Sequence, residues 1–407
     1  MRYFYSSVVL CILLFACSGQ NGPSKSGEKV TTIEVDIDEA EPIRMSEYFS
    51  DINYFYLESP DERPIGRVWK MMFQDNYIAL YDRARGSIWI YTKEGEFVNE
   101  VEIPVGRGPG ELTNHEDVIF TKDHKFHILG QLKIVVYGIE GSFVEETAYH
   151  FWAYDFTYNP STKEYIGYAS NSLNRDQLNR HGGKNLLYFD KSGEITQSFL
   201  SIGKGKEQIG YNIPNNFPTY NGDQLFISHL VDTVYSVHKN GVIPKYALDY
   251  GEYAIPQEVF GRRYDYRKNM YNWGEFLEKE IESKDYIAYL SYFNETDKFI
   301  NFDIGTGEEN FVVFYNKNTC ETRVASDKMI NDIDYGLATY IYEAHDNVLY
   351  TVIGANTLLR HLNDLYENEP QKYKSPKMKE LRELAHSIDK NRNPILMVMP
   401  FKEKNGE

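Results

Sequence analysis

The ten residues Ile88–Phe97, IWIYTKEGEF, decide the fold of this chain. Four apolar or aromatic residues are followed by a short polar turn and by the start of a second strand. Gly95 stands in the turn, where a hairpin favours a residue that tolerates a positive φ. The stretch therefore predicts two antiparallel strands joined by a tight turn.

The same pattern recurs four more times along the chain. Its copies are IVVYGIEGSF at 134–143, LLYFDKSGEI at 186–195, VYSVHKNGVI at 234–243 and VVFYNKNTCE at 312–321. Gly141, Gly193 and Gly241 stand where Gly95 does, whereas Thr319 departs from the pattern. The first four copies start roughly 50 residues apart, close to the spacing of a four-stranded propeller blade.

A further apolar strand precedes each hairpin, and a sixth such strand follows the last one. These strands are 77–80, 126–129, 165–168, 225–228, 299–302 and 348–352. The run Ile395–Met399 completes the sixth unit, and either Thr31–Ile37 or Ile52–Leu57 supplies its outermost strand. Because such closure removes free sheet edges, we predict an all-β fold over residues 31–407, a six-bladed β-propeller with both termini in one blade.

Two stretches follow a helical rather than a strand period. In the first, at about 256–284, Trp273, Phe276, Leu277 and Ile281 recur at spacings that suit an amphipathic helix. In the second, at about 357–390, Ser375 is an N-cap candidate and Pro376 a first helical residue. We interpret both as helical insertions that pack on the propeller, with a lid over the channel mouth as the alternative.

Composition limits the kind of partner. The chain has 407 residues, and 60 acidic residues outnumber 43 basic ones, which gives a formal net charge of −17. An acidic surface repels phosphodiester backbones, so no nucleic acid is expected as a partner. We attribute the acidity to solubility rather than to calcium binding.

The N-terminus carries a targeting signal. Arg2 precedes the short apolar core Val8–Phe15, which is too short to span a bilayer. The run Leu14–Cys17 resembles a bacterial lipoprotein box, which implies a signal peptide over 1–16 and acylation of Cys17; an ordinary secretory signal is the alternative. Residues 17–30 then form a flexible tether. The expected location is the cell envelope, on the outer membrane facing the periplasm, with membrane contact through the lipid anchor only.

The stretch Pro104–Leu112, PVGRGPGEL, is not a phosphate cradle. A Walker loop needs Lys and Ser or Thr after its last glycine, where Glu111 and Leu112 stand here. We interpret the stretch as a loop between two blades, and Arg107, Glu111 and His115 are its candidate ligand-binding residues. The alternative is that Arg107 and Glu111 bond neighbouring backbone groups and join blade one to blade two.

No motif in the sequence completes a catalytic or metal site. His124 and His127 flank a strand start that points them to opposite faces, so we expect surface histidines and no metal. The stretch Ser201–Lys204 matches S-x-x-K without its companion motifs. We therefore expect no cofactor and no catalytic residue, and a binding or scaffolding module rather than an enzyme.

Several stretches together resemble a family of six-bladed β-propeller lipoproteins, similar to NHL- and TolB-type propellers, from Gram-negative bacteria that live on glycans. The stretches are VGRGPGEL at 105–112, NYFYLE at 53–58, DTVY at 232–235, KYALD at 245–249 and NPIL at 393–396. The resemblance implies the propeller architecture and an envelope location. The missing catalytic motifs and the 34 tyrosines favour a noncatalytic binding or scaffolding module for a glycan, a peptide or an envelope protein partner. The alternative is a propeller lyase or hydrolase that acts on a glycan or peptide at the channel mouth.

Overall fold

The computed structural model describes residues 29–60, 63–211, 213–266, 273–338, 343–388 and 393–402. Every structural statement below refers to these residues. The predicted signal peptide, Cys17 and most of the predicted tether lie outside them.

Twenty-five strands are described, and they form six separate sheets. The strands that precede the first hairpin unit are β1 (Thr31–Glu34) and β2 (Asn53–Tyr56). Sheet 1 contains β3 (Val68–Gln74), β4 (Tyr77–Asp82), β5 (Ser87–Thr92) and β6 (Phe97–Glu102). Sheet 2 contains β7 (Asp117–Phe120), β8 (Lys125–Leu129), β9 (Lys133–Gly138) and β10 (Phe143–Ala148). Sheet 3 contains β11 (Asp155–Asn159), β12 (Glu164–Tyr168), β13 (Lys184–Phe189) and β14 (Ile195–Ser201).

The other three sheets follow in chain order. Sheet 4 contains β15 (Thr219–Tyr220), β16 (Asp223–Phe226), β17 (Thr233–His238) and β18 (Gly241–Asp249), with β1 added in parallel to β18. Sheet 5 contains β19 (Tyr289–Glu295), β20 (Phe299–Gly305), β21 (Asn310–Asn316) and β22 (Thr322–Ser326). Sheet 6 contains β23 (Glu343–His345), β24 (Val348–Ile353), β25 (Ile395–Pro400) and β2.

The five predicted hairpins are all present as antiparallel pairs: β5–β6, β9–β10, β13–β14, β17–β18 and β21–β22. Gly95, Gly141 and Gly193 take φ values of 85°, 86° and 82° in their turns, as predicted. The fourth expectation was wrong, because Gly241 instead begins β18. In the fifth turn Cys320, with a φ of 60°, takes the left-handed conformation.

Strands from the two ends of the chain share one sheet. β25 pairs with β24 on one side and with β2 on the other, so residues 395–400 complete the sixth unit as predicted. Of the two candidates for the outermost strand, β2 occupies the position. β1 instead covers the outer edge of sheet 4, which leaves the backbone groups of β18 paired on both sides.

First strands of neighbouring sheets lie side by side at five of the six boundaries between sheets. β3 contacts β7, β7 contacts β11, β15 contacts β19, β19 contacts β23, and β23 returns to contact β3. Between sheets 3 and 4, Thr157 Oγ1 donates a hydrogen bond of 2.8 Å to Gln224 Oε1. The arrangement of the described sheets is therefore propeller-like.

Apolar clusters fill the spaces between neighbouring sheets, and each of the six pairs of neighbours has one. The strand period of two makes this possible, because each strand presents alternate residues to opposite faces. In β5, Ile88 and Ile90 face sheet 2, whereas Trp89 and Tyr91 face sheet 6. Both faces of each sheet are thus buried, which explains the near-continuous apolar runs in the sequence.

Helices lie in both predicted insertions. The described helices are α1 (Met45–Tyr48), α2 (Arg175–Leu178), α3 (Val259–Arg262), α4 (Trp273–Glu280), α5 (Ala355–Asn368), α6 (Pro370–Tyr373) and α7 (Lys379–Ser387). In the first insertion, Phe276, Leu277 and Ile281 are buried with Phe260 of α3. In the second, Ser375 caps a 3₁₀ turn that leads into α7, and helices α5 and α7 cover the apolar cluster between sheets 5 and 6.

Candidate functional site

The glycine-rich stretch forms the connection between β6 and β7. Leu112 donates its amide hydrogen to the Pro104 carbonyl, and Gly106 donates to the Leu112 carbonyl, so the connection closes into a compact loop. Gly110 has a φ of 77°, and a Cβ atom there would lie 2.9 Å from the Phe143 ring. Both the backbone conformation and the tight contact require glycine at this position.

Hydrogen bonds to residues of sheet 2 fix this loop in place. Tyr137 donates its hydroxyl hydrogen to the Gly110 carbonyl at 2.9 Å, and Lys133 donates from Nζ to the Gly108 carbonyl at 2.7 Å. Gly110 N–H donates to Glu146 Oε2 at 3.0 Å. The connection is therefore fixed to β9 and β10 along the boundary between sheets 1 and 2.

The three predicted ligand-binding residues lie in different surroundings. Glu111 accepts a hydrogen bond of 2.8 Å from Gly108 N–H and so stabilises its own loop. His115 packs against Gly86, and burial together with the nearby Arg83 guanidinium lowers its pKa. Arg107 is exposed and makes no hydrogen bond or ion pair with the rest of the described chain. No hydrogen bond or ion pair joins any two of these three described side chains, so the loop offers Arg107 alone to a ligand.

Three exposed apolar side chains lie on the loop that carries Arg107 or on neighbouring segments. Val105 is 76% exposed, Leu132 54% and Trp152 39%. Their segments adjoin, because Lys133 bonds the Gly108 carbonyl and Tyr149 N–H donates to the Leu132 carbonyl at 3.0 Å. Side chains of this kind, grouped on adjoining loops, mark interaction surfaces. We call the group Val105, Arg107, Leu132 and Trp152 the loop surface.

A buried ion pair lies at the starts of the innermost strands. Lys70 of β3 donates from Nζ to both carboxylate oxygens of Asp117, the first residue of β7, at 2.9 Å each. Asp155, the first residue of β11, accepts a hydrogen bond of 2.8 Å from Asn216 N–H. The three charged residues are 5%, 2% and 2% exposed. The groups that begin these strands therefore bind one another rather than water.

Glu343, the first residue of β23, belongs to the same cluster. Its Oε2 accepts a hydrogen bond of 3.2 Å from Asn215 Nδ2, and its charge acts on Lys70. One ammonium group thus stands among the carboxyl groups of Asp117, Asp155 and Glu343, which come from sheets 2, 3 and 6. We call Lys70 and these three carboxyl groups the axial cluster.

Burial and mutual charge set the protonation states of the axial cluster. Burial opposes the charge on Lys70, but the carboxyl groups, above all Asp117, outweigh it and raise its pKa. Burial, followed by the charge of Asp117, raises the pKa of Asp155 well above its usual range. A hydrogen bond between the Asp155 and Asp117 carboxyl groups also favours the protonated form of Asp155. Burial also raises the pKa of Glu343 to about 7.

We expect the variant Glu343→Gln to gain stability relative to the wild type as pH rises from about 4.5 to about 7. The folded-state pKa of Glu343 lies above that of the unfolded chain, so its contribution to stability is present at low pH and is lost as pH rises through about 7. A glutamine does not titrate. The difference in the free energy of unfolding should grow across this window and level off at about 1–3 kcal/mol.

Urea unfolding of both proteins at pH 5, 6, 7 and 8 measures this difference. Glu96→Gln, at an exposed position in the β5–β6 turn, is the matched control. A difference for Glu343→Gln that stays constant from pH 5 to pH 8 would contradict the assigned pKa.

The prediction that His124 and His127 are surface histidines is confirmed for His124 and wrong for His127. His124 is exposed, and its Nε2 lies 2.7 Å from Asp75 Oδ2. His127 is not a surface residue: it is 4% exposed, and its Nδ1 lies 2.9 Å from the Tyr165 hydroxyl. It belongs to β8, and both faces of its sheet pack against a neighbouring sheet. A side chain that points to either face is therefore buried. Within the described ranges, no group of three His, Cys, Asp or Glu side chains is placed to hold a metal ion.

Sequence reasoning did not find the axial cluster, although two signals point to it. Asp117, Asp155 and Glu343 each begin the first strand of a unit, directly after a connection between sheets. Lys70 interrupts the otherwise apolar or aromatic run 68–73. A charge inside an apolar strand requires a buried partner, and the recurring acid at the strand start supplies it.

The fold and these surfaces define a class of protein, a propeller-like β protein built from several small four-stranded sheets. The chain belongs to the DUF4934 family, described as a domain of unknown function, whose model matches residues 28–400. The similarity to NHL- or TolB-type propellers stays a prediction. No curated protein matches the sequence significantly.

Among three solved structures, one has a similar fold, and the alignments with the other two are weaker. A protein of Bacteroides fragilis described as exported aligns with a TM-score of 0.73 at 17% identity, over 92% of this chain and 100% of that chain. A DUF4221 family member from Bacteroides vulgatus has a TM-score of 0.49 at 12% identity, over 88% and 98% of the two chains. The WD40 domain of Pan2 from Neurospora crassa has a TM-score of 0.37 at 11% identity, over 77% and 82%. At 17% identity, the similarity to the Bacteroides fragilis protein concerns the fold alone.

A membrane-spanning helix was also sought. None of the helices in the described ranges is both long enough and apolar enough to cross a bilayer.

Proposed function

We propose that the six sheets are the blades of one closed six-bladed β-propeller. Three features support this: the contacts between first strands at five of the six boundaries, the apolar cluster at each boundary between sheets, and the meeting of β2 and β25 in sheet 6. In such a ring the axial cluster lies on the axis. Its groups bond one another there and close the central channel at the end where β7, β11 and β23 begin.

The protein is, in our proposal, a lipoprotein of the cell envelope, anchored through Cys17 on the outer membrane and facing the periplasm. The apolar stretch Val8–Phe15 followed by Ala16 and Cys17 supports the anchor. The description of the Bacteroides fragilis protein as exported agrees with an envelope location.

Its function is to bind or scaffold a glycan or a peptide without catalysis. The loop surface carries this proposal, because it places an exposed indole and an exposed guanidinium on adjoining loops. The flat face of Trp152 suits a sugar ring or an apolar peptide side chain. Arg107 has five N–H donors for hydroxyl or carboxylate oxygens. The glycine-rich loop that carries Arg107 is fixed by its own hydrogen bonds, so binding does not need to order it.

A screen of glycans and peptides against the mature protein tests this function. We expect a wild-type ligand whose affinity falls at least about tenfold in Trp152→Ala and in Arg107→Ala, since Trp and Arg dominate binding energies at interfaces. Because both side chains are exposed, the melting temperature should change little.

Lys122→Ala is the matched control. Lys122 is exposed in the turn between β7 and β8, at the opposite end of β7 from the glycine-rich loop. Absence of any bound glycan or peptide, or equal binding by all three variants, would contradict the proposed surface.

A further inference from the structure

A cavity of about 120 Å³ lies beside the first helical insertion. It is enclosed by the segment that leads into α3, by the start of β19, by the turn after β16 and by Lys206. These elements belong to sheets 4 and 5 and their connections, whereas the loop surface lies on sheets 1 to 3. The two surfaces are therefore independent of each other.

The cavity has apolar walls and little room. Leu230, Phe260, Ile287 and Leu290 line it, and each is at most 6% exposed. An apolar cavity of about 150 Å³ holds one benzene molecule, so this one has room for a ligand of about five or six non-hydrogen atoms.

Two polar groups on the wall have hydrogen-bond donors for which the described chain supplies no acceptor. Lys206 Nζ donates to the Leu230 carbonyl at 2.6 Å and lies 4.4 Å from the centre of the Phe260 ring, and it forms no ion pair with any described carboxylate. An ammonium group has three N–H donors. Tyr250 also lines the cavity, is 5% exposed, and its buried hydroxyl has no hydrogen-bond partner among the described residues. A half-buried cation without an ion-pair partner and a buried hydroxyl without an acceptor are both costly.

The entrance is polar. Asp232 and Gln257 line the cavity and are exposed. Burial lowers the pKa of Lys206, and the charge of Asp232 offsets part of this effect. No ion pair joins Asp232 to Lys206 among the described residues, so the ammonium group keeps hydrogen-bond donors for a ligand.

We propose that this cavity binds a short-chain monocarboxylate of about two to four carbon atoms. Its carboxylate accepts hydrogen bonds from Lys206 and from the Tyr250 hydroxyl, and its alkyl end packs against Phe260 and Leu230. The carboxylate supplies the acceptors that both groups lack, and charge-assisted hydrogen bonds of this kind are the strong ones. The short alkyl chain matches the apolar walls in a volume that excludes larger acids.

Calorimetric titration of the mature protein with sodium propionate tests the proposal, together with thermal unfolding at rising propionate concentration. We expect saturable binding and a melting temperature that rises with propionate. Sodium chloride at equal ionic strength should not reproduce the rise. Lys206→Met should weaken binding at least about tenfold, because it removes the only charged donor.

Two further variants keep the test decisive. Tyr250→Phe removes an unpartnered hydroxyl, so it should fold with an unchanged melting temperature and still bind propionate several-fold more weakly. Lys204→Met changes a lysine two positions away that does not line the cavity, and it should bind as the wild type does. Equal stabilisation by chloride and propionate would overturn the proposal, as would wild-type affinity in Tyr250→Phe.

Discussion

Replacing Lys70 by methionine should lower the free energy of unfolding by about 3–5 kcal/mol at pH 7. Lys70 is 5% exposed, and its Nζ donates to both oxygens of Asp117. Its loss leaves the Asp117 carboxyl group buried without a cation and beside Asp155. The cost arises from this unpaired buried charge.

Denaturant unfolding of the wild type, Lys70→Met and Lys125→Met measures the effect. Lys125 pairs with Asp123 at 2.7 Å, but the two side chains are 38% and 60% exposed, so its loss should cost at most about 1 kcal/mol. The double variant Lys70→Met, Asp117→Asn should recover part of the lost stability. Equal costs for the two lysine variants would show that the axial cluster is hydrated and not buried.

The axial cluster also bears on how the sheets are arranged. Its members lie on the first strands of sheets 1, 2, 3 and 6, and Asn215 and Asn216 join it from the segment before sheet 4. Such a set of buried charges is satisfied only when these strands lie side by side. The cluster therefore favours one arrangement of sheets that share similar apolar faces, in addition to any net stability it provides.

Local patterns predicted most of the strands. The hairpin of Ile88–Phe97 and its four copies could be predicted from an apolar period of two and a turn, and all five are present. The choice between β1 and β2 for the closing strand was open, because both segments have the same alternation. Pairing with β25 decides it, and that partner lies more than 300 residues away.

The functional surfaces were harder to predict because they depend on distant contacts. The sequence identified Arg107 as a ligand-binding candidate, and the structure leaves it exposed; Glu111 and His115 are held by the loop itself and by Arg83. The same reasoning missed Trp152, whose exposure follows from the position of its segment between sheets 2 and 3. No local pattern distinguishes it from the buried Trp89.

A disulfide across the closing strands should form readily and should stabilise the protein more than any single contact. Asn53 of β2 lies opposite Val398 of β25, and directly opposed residues of antiparallel strands have Cα distances that suit a disulfide. A link between these positions closes a loop that contains almost the whole chain. The chain-entropy model predicts a gain of about 5 kcal/mol in the free energy of unfolding for a loop of this length.

The formation of this disulfide tests the closed propeller most directly. We would introduce Asn53→Cys and Val398→Cys without the other cysteines, using Cys17→Ser and Cys320→Ser. Free thiols and electrophoretic mobility would be measured after mild oxidation, with Glu34→Cys and Val398→Cys as the control pair, since β1 lies in sheet 4. The account predicts near-complete crosslinking of positions 53 and 398, with none for the control pair. Free thiols at positions 53 and 398 in the folded protein would contradict it.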